Sequence, residues 1–294
     1  MAFRFDLPEA DDPGALADWI EVMMLLSRRA QISKAQLIEA LSANIGATSA
    51  ELEMPVHLLF AELGRRRRIA GIGYPLEIDG NLIKFDAESN SEFYKFLLLI
   101  SVDGPMRRGK KFQEIDEIFD RVVSAAITTY LGDGSEAVRF GWPATDDRPP
   151  QFKRALEWLS TRMGMPLGSA KSTAKTKDGG VDVVAWKPFA DRRTAFLVAF
   201  AQCTVQTNWY PKRKDVIERL WFARIDTGGW ALSVLALPFS IPKNFENWDD
   251  LRRAVNIVFD RLRLAQMLGR VDSAKFGAMR QWSSKEIAKI TASF

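Results

Sequence analysis

The stretch that most constrains this chain runs from Lys177 to Trp209, KDGGVDVVAWKPFADRRTAFLVAFAQCTVQTNW. A Gly-Gly turn opens it, and Asp182 stands at the head of the apolar run Val183-Val184-Ala185-Trp186. The charged turn Asp191-Arg192-Arg193 leads into a second run, Thr194 to Phe200, which ends on Gln202-Cys203-Thr204. Apolar runs of this length joined by a short polar connection predict a hairpin of buried strands. A polar group at the end of a core strand costs free energy unless it is paired or binds something. Asp182 at one strand's entrance and Gln202 at the other's end therefore mark a candidate site.

With Asp182 and Gln202 set in the wording GVDVVAWKPF…QCT, the region from about Phe119 through Trp221 resembles the PD-(D/E)xK nuclease superfamily. Within it, the region is similar to a restriction-endonuclease-like family found among bacterial defence proteins. In that pattern an Asp opens one strand, and a Glu or Gln sits on the next with a Lys two residues later. Thr204 stands where the lysine belongs. The resemblance implies metal-dependent cleavage of DNA, with the protein as an effector of an anti-phage system. It also implies an acidic residue on the helix that opens the nuclease core. The helical spacing of Gln113 to Tyr130 offers Asp120 first and Glu117 second, with Glu157 on the following helix as a competitor.

Phosphodiester hydrolysis calls for a divalent cation that neutralises phosphate charge and lowers the pKa of the attacking water, here Mg²⁺ or Mn²⁺. Asp182, the side-chain carbonyl of Gln202 and the backbone carbonyl of Cys203 are the expected metal ligands. Residues two apart on a strand share a face, so Gln202 and Thr204 point one way and Cys203 the other, as a small buried hydrophobe. For the missing lysine, Lys212 is the first substitute and Lys214 the second. Lys187 lies at an odd offset from Asp182 and faces away, and Thr204 is left to hold a water. Trp186, Trp209 and Trp221 read as packing residues rather than base-stacking ones.

Ahead of this region the chain reads as helices followed by a hairpin. Ser33-x-x-Gln36 and Thr48-x-x-Glu51 are capping boxes that open two helices, the second closed by Gly64 and Arg65-Arg66-Arg67-Arg68. Asp79-Gly80 between two apolar runs predicts a β-hairpin. Helices, a hairpin and a basic cluster suggest a winged-helix-like module that binds DNA or a partner protein. The Gly-, Pro- and charge-rich SVDGPMRRGKK then marks a boundary. The expected fold is a two-domain α/β (α+β) chain. Residues 1–105 form the winged-helix-like domain, and residues 106–294 a restriction-endonuclease-like mixed sheet flanked by helices. Beyond the central hairpin, a helix is expected from Pro211 to Arg224, a strand over Ala231 to Phe239, and a long helix from Asp249 to Leu268.

The net charge of +4 is modest, but positive residues cluster. Arg65 to Arg68, Arg107, Arg108, Lys110, Lys111 and Arg213 are candidate DNA phosphate contacts, or else a solvated face and helix-end caps. One cysteine excludes an internal disulfide framework and fits a reducing, cytoplasmic setting. A single histidine, His57, leaves no room for His-based metal or triad chemistry. There is no signal-peptide pattern, no membrane span and no nucleotide loop. The alternative function is a catalytically degenerate DNA-binding or adaptor subunit working with a partner ATPase. A homodimer fits either reading.

Overall fold

The computed structural model describes residues 9, 11–27, 31–86, 88–103, 110–169, 177–216 and 218–292. They fall into two compact units, one of Met1–Asp103, Phe239–Pro242 and Arg261–Phe294, the other of Gly104–Pro238 and Lys243–Asp260. The sequence assigns everything after residue 105 to one domain, whereas the chain from Arg261 onward groups with the N-terminal segments.

The first unit begins α1 (Pro13–Ser27), β1 (Gln31–Ser33), α2 (Lys34–Ile45), α3 (Ser49–Ala70), β2 (Leu76–Asp79), β3 (Leu82–Phe85) and α4 (Glu92–Asp103). Both capping boxes form: Ser33 Oγ accepts from Gln36 N and Thr48 Oγ1 from Glu51 N, and each N3 side chain accepts from the cap's own N–H. The strands make an antiparallel sheet in the order β1-β3-β2, and the hairpin turns at Gly80 with φ 57°. Helix α3 passes Gly64 and closes just beyond the arginines, with Arg67 and Arg68 in its last turn. It runs through the four arginines to Ala70, because Leu59, Leu63, Arg66 and Ala70 form one buried stripe. An interior glycine costs only about 1 kcal/mol against that burial.

The second unit is built on one mixed sheet. Its elements are α5 (Lys110–Leu131), β4 (Glu136–Arg139), α6 (Phe152–Met163), β5 (Val183–Lys187), β6 (Leu197–Cys203), α7 (Glu218–Phe222), β7 (Leu232–Ala236), α8 (Trp248–Ala254) and β8 (Ile257–Phe259). The strand order is β4-β5-β6-β7-β8, antiparallel across the first two pairings and parallel across the last two. The expected hairpin is therefore β5–β6. Its near-continuous apolar runs reflect cover on both faces. Val184, Trp186, Val198 and Phe200 pack with α6 and Trp221, and α5 lies against β4, β5 and β6. Trp186 and Trp221 are core residues, Trp221 stacking on Phe200 at 4.7 Å between centroids.

Two expected helices differ. Between Pro211 and Arg224 the chain makes a 3-10 turn, Tyr210–Lys214, and then the short α7, on which Leu220 is exposed. The long helix over Asp249 to Leu268 is broken, since α8 stops at Ala254 and β8 pairs in parallel with β7. The β-branched residues Val255, Ile257 and Val258 favour extended backbone. Asn256 Oδ1 fixes the join by accepting from Ser233 N at 2.8 Å and Ser233 Oγ at 2.9 Å.

After β8 the chain adds α9 (Arg261–Leu268) and α10 (Gly277–Thr291) to the first unit. There Arg66 and Arg261 are buried with Glu21, Tyr74 and Tyr94, and both pair with the partly exposed Asp18. Glu21 accepts from Arg66 Nη1 at 2.9 Å, Tyr74 Oη at 2.6 Å and Tyr94 Oη at 2.9 Å. Among the described residues, no helix is long and apolar enough to cross a membrane.

Candidate functional site

The register of β5 and β6 decides what meets at the end of the sheet. Val183 pairs with Ala201, so Asp182, one residue earlier, lies beside Gln202. Its backbone is pinned on both sides. Asp182 N donates to Ala201 O at 2.8 Å, and its carbonyl accepts from Phe140 N at 2.6 Å and Gly141 N at 2.9 Å. The carboxylate Oδ2 accepts from Gln202 Nε2 and from Cys203 N, each at 2.8 Å. Gln202 Nε2 also donates to Cys203 O at 2.9 Å. Gln202 thus presents its N–H group, not its carbonyl, to the expected ligands Asp182 and Cys203 O.

Helix α5 supplies the second carboxylate. Asp120 is 3% exposed and accepts from Arg139 Nε at 2.9 Å through Oδ2. Arg139 ends β4, and its Nη1 donates to Pro143 O at 2.8 Å and Thr145 Oγ1 at 2.9 Å. One donor atom each from Asp120, Asp182 and Cys203 lie within 4.8 Å of one another. The Cys203 thiol therefore faces the carboxylates, contrary to the expectation that it turns away; strand β6 ends at this residue, so strict alternation no longer governs it. Gly141 leaves the space beside them open. A Cβ at that position would stand 3.0 Å from Asp120 Oδ2, 3.1 Å from Asp182 Oδ1 and 3.4 Å from Arg139 Nη2.

These groups line a recess of about 160 Å³ that also takes in Asp116, Trp142, Thr204 and Lys212. Burial pushes the Asp182 carboxyl up to about 7, against the lowering effect of the Cys203 N–H. Burial, with Asp182 alongside, holds Asp120 well above the usual carboxylate range although Arg139 pulls it down. Asp116, at the solvent-open rim, is raised to about 6. The Cys203 thiol is raised by burial and by both carboxylates, so it is protonated and no nucleophile. Clustered acids raised in this way bind protons in place of a cation, and two carboxylates facing an open space suit a hard divalent ion.

The remaining expected residues are distributed as follows. Lys212 reaches the recess, with Nζ bonded to Asp215 Oδ2 at 3.0 Å. Lys214 is exposed outside it. Lys187 Nζ donates to Leu131 O at 2.7 Å, at the far end of β5 from Asp182. Thr204 is 5% exposed, and its Oγ1 accepts from Gln206 N. Glu117 pairs with Arg121 at 2.9 Å. Glu157 belongs to a separate concavity on the outer face of α6, with Arg154, Trp158, Thr161 and Arg162.

The arginine cluster is largely committed within its own unit. Arg65 holds Glu62 through Nε at 2.6 Å and Nη2 at 2.7 Å, Arg66 is 1% exposed, and Arg67 pairs with Asp86 at 2.6 Å; Arg68 alone of the four is exposed. Arg66 is thus an interior residue and not a phosphate contact. Arg213 pairs with Asp250 at 2.9 Å. Lys110 and Lys111 open α5, while Arg107 and Arg108 lie outside the described residues.

Asp116, Arg139 and Gly141 escaped the sequence reading. Asp116 lies one helical turn before Asp120, and the i,i+4 rule puts the two on one face. Arg139 carries no local signal, because only the pairing of β4 with β5 brings it there.

No family model matches the chain, and no curated protein matches it. Among solved structures, the chain is similar to an MspJI restriction endonuclease in complex with a 27-mer oligonucleotide, at 12% identity and a TM-score of 0.33. The match covers 71% of this chain and spans 38% of that protein's chain.

Proposed function

We propose that this protein is a metal-dependent DNA endonuclease of the PD-(D/E)xK type. The observation that carries the reading is the pair of carboxylates, buried Asp120 and half-buried Asp182, whose oxygens face one space kept clear by Gly141. Asp182 Oδ1 and Asp120 would hold Mg²⁺ or Mn²⁺, and Gln202 fixes Asp182 through its other oxygen. A cation bound there supplies charge neutralisation at the phosphate and a lowered pKa for water. Lys212 meets the DNA backbone at the rim of the recess.

In the same proposal the element order α1-β1-α2-α3-β2-β3 with its terminal hairpin is a winged-helix-like module that binds DNA or a partner, and the second unit, Gly104–Pro238 with Lys243–Asp260, is the nuclease-like domain. The role in bacterial anti-phage defence rests on the sequence resemblance.

Two observations favour a second reading. Thr204 replaces the motif lysine, and Gln202 gives its N–H rather than its carbonyl to Asp182. On that reading the chain is a DNA-binding adaptor that works with a partner ATPase and cuts nothing.

Nicking of supercoiled plasmid with Mg²⁺ or Mn²⁺ separates the two. The nuclease reading expects cleavage by the wild type that is lost with chelator and in Asp182→Ala and Asp120→Ala. DNA binding that is indifferent to chelator, with no cleavage, would establish the adaptor instead.

A further inference from the structure

We propose that Arg139 is a catalytic residue, its Nη2 contacting the scissile phosphate and supplying the cationic contact that Thr204 cannot. This rests on the nuclease reading above. Arg139 is the last residue of β4 and pairs with Val183, which brings it next to Asp182 in the ladder. Its side chain is 4% exposed and held on two sides, by Asp120 through Nε and by Pro143 O and Thr145 Oγ1 through Nη1. Nη2 has no hydrogen-bond partner among the described residues; Arg139 lines the recess, and Nη2 stands 3.4 Å from where a Gly141 Cβ would be. A guanidinium fixed on two sides, with its third nitrogen unbonded and lining a recess, keeps a donor for an acceptor that enters there.

The acceptor that fits is a phosphate oxygen. The same space is bordered by Asp120 Oδ2 and Asp182 Oδ1, so a phosphodiester that enters it meets negative charge on that side. The recess offers two cations, Arg139 and Lys212, and Lys212 is already engaged by Asp215 at 3.0 Å. Arg139 also has the fixed, preorganised geometry that electrostatic catalysis requires, whereas Lys212 sits on a 3-10 turn at the rim.

The step balances without a proton from arginine. A water oxygen forms a bond to phosphorus, and one P–O ester bond breaks with its electron pair leaving on the sugar oxygen. The proton lost by the water ends on that oxygen. Negative charge grows on the non-bridging oxygens meanwhile, and the Nη2–H contact strengthens with it.

The test is single-turnover cleavage of a DNA duplex at saturating Mn²⁺ by the full chain, with Mn²⁺ affinity and melting temperature measured on the same samples. Arg139→Gln is expected to slow cleavage about 100- to 1000-fold, as for loss of one preorganised donor. Mn²⁺ binding should be kept or tightened, because the guanidinium no longer shares Asp120. Arg139→Lys keeps the charge and loses the second prong, and is expected to slow cleavage at least about tenfold. Cleavage at the wild-type rate in either variant would overturn the assignment and leave the nuclease reading standing. So would a rate loss in Arg139→Gln that only tracks lost Mn²⁺ binding. If Arg139→Gln does not fold, Arg139→Lys decides by the same criteria. A wild type that binds no Mn²⁺ and cuts nothing would remove both.

Discussion

Gln202 and Asp182 are joined by a single oxygen: Oδ2 takes the Gln202 Nε2–H and the Cys203 N–H, each at 2.8 Å, and Oδ1 is left facing Gly141. The amide therefore orients the carboxylate rather than adding a ligand of its own. Gln202→Glu tests this division of labour. It removes a donor and sets two carboxylates against each other, so without metal the variant should lose about 1–3 kcal/mol of stability. Added Mn²⁺ should raise its melting temperature by more than it raises that of the wild type. Urea unfolding with chelator and thermal melts with Mn²⁺ measure the two effects.

Gly141 is the position where one methyl group decides occupancy. A Cβ 3.0 Å and 3.1 Å from the two carboxylate oxygens fills the space between them. Gly141→Ala is expected to weaken Mn²⁺ binding at least about tenfold while the far-UV spectrum stays that of the wild type. Calorimetric titration of Mn²⁺ into both proteins reads it, and undiminished affinity would place the ion elsewhere.

The raised acids make stability depend on pH. Asp182 has a folded-state pKa of about 7, above its unfolded value of about 3.9, so the folded chain binds the extra proton between those values. The stabilising contribution is complete below about pH 4 and is lost as pH rises through about 7. With chelator present, the melting temperature should fall between pH 5 and pH 8. Asp182→Asn should flatten that fall, and Mn²⁺ should restore more stability at pH 8 than at pH 5.

The arginine run can be dissected by burial. Arg66 is 1% exposed and bonded to Asp18, Glu21 and Glu62. Arg66→Ala strands the buried Glu21 carboxylate and should cost about 3–5 kcal/mol. Arg68 is exposed, and Arg68→Ala should change stability by less than about 0.5 kcal/mol. If the first unit binds DNA through this run, Arg68→Ala is the variant that lowers affinity at unchanged stability, read by fluorescence anisotropy.

What could be read from the sequence was local. Ser33 with Gln36, Thr48 with Glu51, and the Asp79-Gly80 turn each specify structure within four residues, and each forms. The β5–β6 hairpin is legible because both strands are buried on two faces and their apolar runs are unbroken. The break at Val255 was hidden because α8 and α9 carry helical apolar spacing on both sides of β8, and the extended preference of Val255, Ile257 and Val258 prevails only with the edge of β7 to pair with. The site divides the same way. Asp182 and Gln202 announce themselves as polar ends of apolar runs. Arg139 and Gly141 matter only through the pairing of β4 with β5, a relation between positions more than forty residues apart. Arg66 misled for the same reason, since its partners Asp18 and Glu21 lie forty-odd residues upstream.

The interruption of the first unit by the second has a consequence for synthesis. Arg261 is fully buried against Asp18, and α9 packs on α3 and α4. A ribosome therefore releases the first hundred residues long before the segment that completes them exists. The sheet of the second unit, whose strands end at Phe259, can close first, and the N-terminal helices must wait with their acidic pocket empty of its second arginine. Nascent chains stalled before residue 261 should therefore be the form most open to proteases and chaperones, and cutting the gene at the apparent boundary near residue 105 would yield an N-terminal fragment that lacks part of its own interior.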